Sequence, residues 1–287
     1  RINEVYRNGH LGISIEMFPP KPPAVDKPMF LAIERLSKYR PDFISCTCGA
    51  GGSTRERTID LCVEIQERFS LSAIAHFTCI GSSREELLET LSLARRSGIR
   101  NVLALRGDPP QGEGFFRVAK GGFMYAYELV GLIREHFPDM GIGVASYPET
   151  HREATDPRTD LENLKRKVDA GADVVYTQLF FENRHFFDFY ERYQAAGIKA
   201  PLIPGIMPIT DFSRIENITS MCGAHIPKDL ASRFESAKDD QKEQFKIGVE
   251  HAVRQCLELI SQGVPGIHFY ALNLSKACRQ VMEALGR

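Results

Sequence analysis

The chain has no apolar run approaching the roughly 18 residues that a membrane-spanning helix needs, and its charged start, Arg1-Ile2-Asn3-Glu4, lacks the apolar stretch of a signal peptide. It has no charge excess either: 36 Lys and Arg stand against 37 Asp and Glu, a formal net charge of -1. No global field of either sign is available to draw in nucleic acid or an anionic membrane, so the expected partner is a small molecule. The seven cysteines contain no C-x-x-C spacing, and an odd number at irregular gaps argues for free thiols in a reducing, cytoplasmic setting. Nor does any stretch of linker composition divide the 287 residues into two domains. That length is ample for the core of one large α/β barrel.

What is there is alternation. Short β-branched or apolar runs are interleaved with longer amphipathic ones, the pattern of a parallel sheet crossed over by helices. Strands are expected at Gly12 to Phe18, Asp42 to Cys48, Ala73 to Cys79, Asn101 to Arg106, Gly143 to Tyr147, Asp173 to Leu179, Leu202 to Met207 and Gly266 to Leu272. Between them, Leu87, Leu88, Leu91 and Ala94 recur at helical spacing in Arg84 to Arg96, and Leu161, Leu164 and Val168 do so in Asp160 to Asp169. From Thr210 to Gln262 several helices follow one another, with a polar stretch at Ser236 to Glu243. The expected fold is an α/β, (β/α)8 TIM-type barrel with extra helices inserted before the last strand, forming a single catalytic domain over residues 1–287. A doubly wound open sheet shares the alternation. The barrel is preferred because its working residues sit at strand C-termini, and polar side chains recur there: Glu16, Thr47, His76, Asp108, Tyr147, Gln178 and Tyr270.

Some of these carry chemistry. Glu16, in Ile13-Ser14-Ile15-Glu16-Met17-Phe18, is a carboxylate among apolar neighbours; desolvation disfavours its charged form and would suit a general acid, although an ion-paired strand glutamate reads the same way. Leu103-Ala104-Leu105-Arg106-Gly107-Asp108-Pro109-Pro110 stops a buried strand at a charged pair around a glycine. The glycine permits close backbone approach to a ligand, and Asp108 could bind the N–H groups of a heterocycle; alone, the segment is also an ordinary turn. Thr47 to Thr54 invites a dinucleotide or phosphate-loop reading but has Thr54 at the third glycine position and no following lysine. Cys46 and Cys48, two apart on an expected strand, point the same way, but no further ligand supports a metal site and they are read as packing residues. After Tyr147 and His151, Asp160, Asn163 and Lys167 fall on one face of a helix that also carries Arg166, able to meet a sugar and a phosphate or simply to be solvated.

Taken in order, S-I-E-M-F-P-P-K, A-L-R-G-D-P, G-G-F-M-Y-A, A-S-Y-P-E-T-H, L-K-R-K-V-D-A-G-A-D, T-Q-L-F-F, I-P-G-I-M-P-I and H-F-Y-A-L-N resemble motifs of the methylenetetrahydrofolate reductase family from near Ile13 to Leu285. The resemblance implies a barrel with bound FAD, NADH or NADPH as reductant, and reduction of 5,10-methylenetetrahydrofolate to 5-methyltetrahydrofolate by ping-pong turnover at one flavin face. By matching motif, Glu16 would be the acid that opens the methylene bridge, and Asp108 would sit near flavin and pterin. FAD would meet Thr47, His76, Arg106, Gly107, Asp108, Tyr125, Ala126, Tyr147, His151, Asp160 and Lys167, with Asn163 and Arg166 on the same helix as further candidates. Gln178, Tyr270 and Asp108 would meet substrate.

The chain departs from the family pattern at Leu274, where members usually have an arginine facing the anionic folate tail; Lys276 could take that part. It also departs at Cys48, where bacterial relatives often have an aromatic residue. The sequence stops soon after the last strand, so control by an appended regulatory domain is not expected. The donor preference and the oligomeric state, a homo-oligomer included, are not set by these residues. The competing readings are a flavin-free folate-dependent methyltransferase barrel, and a non-catalytic subunit that binds folate or flavin; retention of Glu16 argues against the second.

Overall fold

The computed structural model describes residues 1–7, 9–20, 26–49, 55–108 and 118–287. Lys21, the glycine-rich stretch from Ala50 to Thr54, and Pro109 with Pro110 lie outside the described residues.

Eight parallel strands close in chain order into a barrel: β1 (Gly12–Met17), β2 (Phe43–Cys46), β3 (Ser72–Thr78), β4 (Asn101–Leu105), β5 (Gly141–Ser146), β6 (Val174–Leu179), β7 (Leu202–Ile206) and β8 (Gly266–Tyr270). Every expected strand is present, most of them ending a residue or two early. Cys48 lies beyond β2, so the alternation that paired it with Cys46 does not apply. Cys46 is instead buried in the core, and Cys48 is half-buried outside the strand. All seven cysteines are free.

The helices wrap the sheet: α1 (Ile2–Val5), α2 (Lys27–Ser37), α3 (Arg55–Phe69), α4 (Arg84–Arg96), α5 (Ala126–His136), α6 (Pro157–Asp169), α7 (Asn183–Ala195), α8 (Phe212–Cys222), α9 (Lys228–Ser236), α10 (Gln241–Ser261) and α11 (Ser275–Ala284). Local chemistry sets their ends. Ser83 caps α4 by accepting from the Glu86 N–H at 3.2 Å, while the Glu86 carboxylate accepts from the Ser83 N–H at 2.9 Å. Helix α6 begins three residues before the expected Asp160 because Asp156 caps it, accepting from Thr159 N–H at 2.9 Å, with Pro157 in the first turn. Helices α8, α9 and α10 are the expected insertion before β8, and the polar stretch from Ser236 holds the turn into α10.

Strand residues alternate between two cores. Ile13, Ile15 and Met17 of β1, Val102 and Ala104 of β4, and Ile267 and Phe269 of β8 pack outward against the helices. Inward, the lower barrel is filled by Phe43, Ile74, Leu103, Val174, Tyr176 and Ile203. Helix α1, which the sequence reading missed, plugs this end with Ile2 and with Tyr6, the residue that caps it. Ile2 N–H donates to Asn101 Oδ1 at 2.9 Å. Gly12 and Gly266, partners across the β1–β8 seam, form the slot for Tyr6: a Cβ on either would lie within 2.5 Å of its ring. Among the described residues, no helix is long and apolar enough to cross a membrane.

Candidate functional site

The upper half of the barrel interior is polar, and Glu16 is its centre. Glu16 projects from β1 between two strand partners, Ser45 on β2 and Tyr270 on β8, and is only 7% exposed. Two imidazoles face one oxygen of its carboxyl group: His76 Nε2 is 3.5 Å and His268 Nε2 is 3.7 Å from Oε2. His76 also lies 2.6 Å from Ser45 Oγ. Burial pulls the His76 pKa down to about 4 against the opposing pull of Glu16, so at neutral pH this imidazole is uncharged. Tyr270 completes the wall. Its hydroxyl donates to the Thr177 carbonyl at 2.7 Å, its ring lies against Gly205 where a Cβ would be 2.6 Å away, and burial with the Glu16 charge pushes its pKa up. Gln178 stands half-buried on β6, its side-chain oxygen accepting from the Leu179 N–H at 2.9 Å.

A second constellation follows β4 and β5. Gly107 sits at φ +91°, a left-handed conformation, with Ile80 2.6 Å from where a Cβ would be. The turn therefore requires glycine and shows bare backbone beside Arg106 and Asp108. Arg106 makes a two-point ion pair with Glu153 at 2.6 and 2.7 Å, which raises its pKa. Asp108 is exposed, and its charge is felt by both Arg106 and Tyr147. The Tyr147 ring meets His151 edge-on at 4.5 Å between centroids. His151 N–H donates to Asp160 Oδ2 at 2.9 Å, and Lys167 Nζ donates to the Ala145 carbonyl at 2.6 Å. Burial under α6 draws the Lys167 pKa down to about 8, with Asp160 pulling the other way.

The structure thus gathers Arg106, Asp108, Tyr147, His151, Asp160 and Lys167 into one patch, and Glu16, His76 and Tyr270 into another. Tyr270 and Tyr147 are close enough for each charge to affect the other, which joins the patches. Asn163 and Arg166 are exposed on the flank of α6, 3.4 Å from each other, rather than beside Asp160. Tyr125 and Ala126 begin α5; the Tyr125 ring is 47% exposed and stacked on Tyr127 at 5.8 Å. Half-buried Thr47 pairs its N–H with the Met17 carbonyl at 3.0 Å, beside the end of β1.

Beside the rim, between α8, α10 and α11, a groove of about 790 Å³ is lined by Arg214, Lys242, Phe245, Lys246, Leu274 and Lys276. Lys276 Nζ sits 4.5 Å above the Phe245 ring. Asn273, at φ +60°, clasps the ends of β1 and β8: it accepts from Phe18 N–H at 2.9 Å and donates to the Phe18 carbonyl at 2.7 Å.

Sequence reasoning missed Ser14, Ser45 and His268. Each stands two residues before a nominated rim residue, at Ser14-Ile15-Glu16, Ser45-Cys46-Thr47 and His268-Phe269-Tyr270. Period-two alternation was the available signal for Ser14 and His268, since it puts them on the same strand face as Glu16 and Tyr270; Thr47 lies just past the end of β2, so Ser45 had no such partner within its strand.

Solved structures resemble this barrel. A protein from Clostridium thermocellum, described as binding two copies of 5-methyl-5,6,7,8-tetrahydrofolic acid, superposes with a TM-score of 0.64 over 99% of this chain and 97% of that one, at 16% identity; the likeness is one of fold. Sequence relatives are nearer. The chain is 38% identical to the 5,10-methylenetetrahydrofolate reductase of Salmonella typhimurium, covering 97% of this chain and 92% of that protein. It is 36% identical to methylenetetrahydrofolate reductase (NADH) 1 of Arabidopsis thaliana, of which it spans 50%. The family model described as methylenetetrahydrofolate reductase matches residues 1–286. With the barrel closed and the rim motifs in family order around Glu16, the chain belongs to the methylenetetrahydrofolate reductase family.

Proposed function

We propose that this protein reduces 5,10-methylenetetrahydrofolate to 5-methyltetrahydrofolate with electrons from NADH or NADPH, through bound FAD, and that Glu16 is the acid. The observation that carries the reading is Glu16 itself: a carboxyl group buried at the C-terminal mouth of a barrel of this family, with two imidazoles turned to one of its oxygens. The free thiols and balanced charge suit a cytoplasmic enzyme acting on small molecules.

The residues present fit a flavin dinucleotide. Gly107, in its left-handed turn, sets Arg106 and Asp108 at the rim, Tyr125 offers an exposed ring, Asp160 an acceptor for ribose hydroxyls, and Arg106 and Lys167 cationic heads. Thr47, His76, Tyr147, His151 and Ala126 complete the wall, with Asn163 and Arg166 at its exposed flank. When bound, FAD supplies the hydride carrier. Glu16 gives a proton to the bridge nitrogen of the folate, so that the methylene bridge opens to an electrophilic iminium. Asp108 holds pterin N–H groups from the exposed turn, Gln178 and Tyr270 bound the same mouth, and the apolar floor below keeps water out. The two substrates take turns at one mouth, so kinetics are ping-pong. Lys276, anchored on Phe245, stands in for the arginine replaced by Leu274 and meets the folate tail.

The test is the visible spectrum of the purified protein on anaerobic addition of NADH or NADPH and then methylenetetrahydrofolate. Flavin bands that bleach and then return are expected, and they name the donor. A colourless protein that cannot be loaded with FAD would overturn the reading in favour of a flavin-free methyltransferase.

A further inference from the structure

The polar interior does not end at Glu16. Behind His268 runs a line of buried hydroxyls that reaches the barrel floor. His268 Nδ1 lies 2.8 Å from Ser14 Oγ, the Tyr6 hydroxyl donates to Ser14 Oγ at 3.1 Å, and the Tyr6 and Tyr176 oxygens are 3.2 Å apart. Ser14 and His268 are directly paired across the β1–β8 seam, one step below the Glu16–Tyr270 pair. Tyr6 is the C-cap of α1, and its ring is held in the slot between Gly12 and Gly266.

These contacts admit a direction of donation that runs toward Glu16. Tyr6 has a single proton and gives it to Ser14, so Tyr176 donates to Tyr6. Ser14, having accepted from Tyr6, has its own proton left for His268 Nδ1. A neutral imidazole whose Nδ1 accepts carries its proton on Nε2, and Nε2 is the atom that faces Glu16.

We propose that the Tyr176, Tyr6 and Ser14 hydroxyls fix His268 as the Nε2–H tautomer, making His268 a positioning residue whose N–H points at Oε2 of Glu16 from 3.7 Å and leaves the transferable proton to Oε1. The inference rests on Glu16 acting as the acid. The titratable groups that face His268 are Glu16 from β1, His76 from β3, Tyr176 from β6, Tyr270 on β8 itself, and Tyr6 from α1 by way of Ser14. Burial pushes Tyr6 up to about 12 and Tyr176 well above its ordinary value. Neither phenol ionises at neutral pH, so both keep the protons with which the line orients the imidazole. The floor plug thereby sets the orientation of an imidazole that faces the acid, which accounts for the tight seat of Tyr6 against glycines on both sides of the seam.

The test uses the FAD-loaded full chain in two measurements. Nitrogen-15 NMR of labelled histidines reads the tautomer without turnover: His268 is expected as Nε2–H in the wild type, with proton density moving to Nδ1 in Ser14→Ala and in Tyr6→Phe. Anaerobic stopped-flow then follows each half-reaction against pH. With the N–H turned away from Oε2, the ionised carboxylate is less stabilised, so the alkaline limb of the folate half-reaction moves to higher pH, by roughly fivefold in the ionisation constant of the acid. Flavin reduction by the nicotinamide nucleotide keeps its wild-type rate. In His268→Gln, whose amide nitrogen donates without help from Ser14, adding Ser14→Ala moves the limb no further. A wild-type His268 protonated on Nδ1 or on both nitrogens overturns the proposal. So does a limb that stays put in both variants, or a parallel loss of both half-reactions. A wild-type protein that takes up no FAD overturns the functional reading instead, and the NMR tautomer still decides how His268 is oriented.

Discussion

The floor and the mouth of this barrel are built by the same strands and are chemically opposite. At the floor, inward positions carry Phe43, Ile74, Leu103, Val174 and Ile203, closed from below by Ile2 and Tyr6 of α1. Two residues further along, β2 and β3 present Ser45 and His76, and β1 and β8 present Glu16 and Tyr270. A period of two keeps each column of side chains inside the barrel, so a strand changes from apolar to polar inside without changing its outward, helix-facing residues. The difference teaches how the site is insulated. The dry floor denies water to the carboxyl group from below, where unscreened electrostatics are strongest, and leaves access from the mouth alone. The hydroxyl line through Tyr6 carries polar groups through the floor cluster up to His268.

This contrast can be broken from either end. At the mouth, Glu16→Gln should slow the folate half-reaction by about 10²–10⁴-fold, the range for loss of a general acid, while flavin reduction in stopped-flow stays near the wild-type rate; equal losses in both halves would contradict its role as the acid. At the floor, Phe43→Ala should cost about 3–4 kcal/mol in urea unfolding, as expected for emptying a buried aromatic site, with FAD affinity by fluorescence titration unchanged.

His76 sharpens the comparison through pH. The unfolded chain takes up the His76 proton at its ordinary value of 6.5, whereas the folded chain waits until about 4. Between these values the unfolded state holds more protons, so stability falls as pH is lowered through the window, by up to about 3 kcal/mol for this group. Unfolding midpoints measured from pH 7 to pH 4 should fall less steeply in His76→Gln. The smallest effect belongs outside both regions: Lys276→Ala should weaken binding of polyglutamylated substrate severalfold, about the worth of one exposed ion pair. An unchanged affinity would remove Lys276 from the folate-tail site.

Much of this was legible beforehand, and what was not has a common cause. The strands announce themselves because each is a run of apolar residues buried on both faces, and Arg84–Arg96 was bounded to the residue because Ser83 and Glu86 form a capping box and Ser97-Gly98 ends the apolar period. Helix α1 was missed: four residues carry too little periodicity, and their burial comes from glycines more than a hundred residues away, such as Gly141, whose Cβ would meet Ile2. Asp160 and Lys167 were nominated together, and they do share the inner side of α6, while Asn163, about 60° around the helix, falls on the exposed flank.

By itself the sequence determined the repeat, the number of strands and the polar residues at most rims, because these follow from local periodicity and from what each residue type tolerates when buried. Only the tertiary structure decided that Ser14, Tyr6 and His268 belong to one site with Glu16. They are separated by up to 262 positions along the chain, from Tyr6 to His268, and meet because closing the barrel at the β1–β8 seam sets Ser14 beside His268 and gives Tyr6 its slot. Registers between first and last strands are long-range facts, fixed by closure of the sheet rather than by any local pattern.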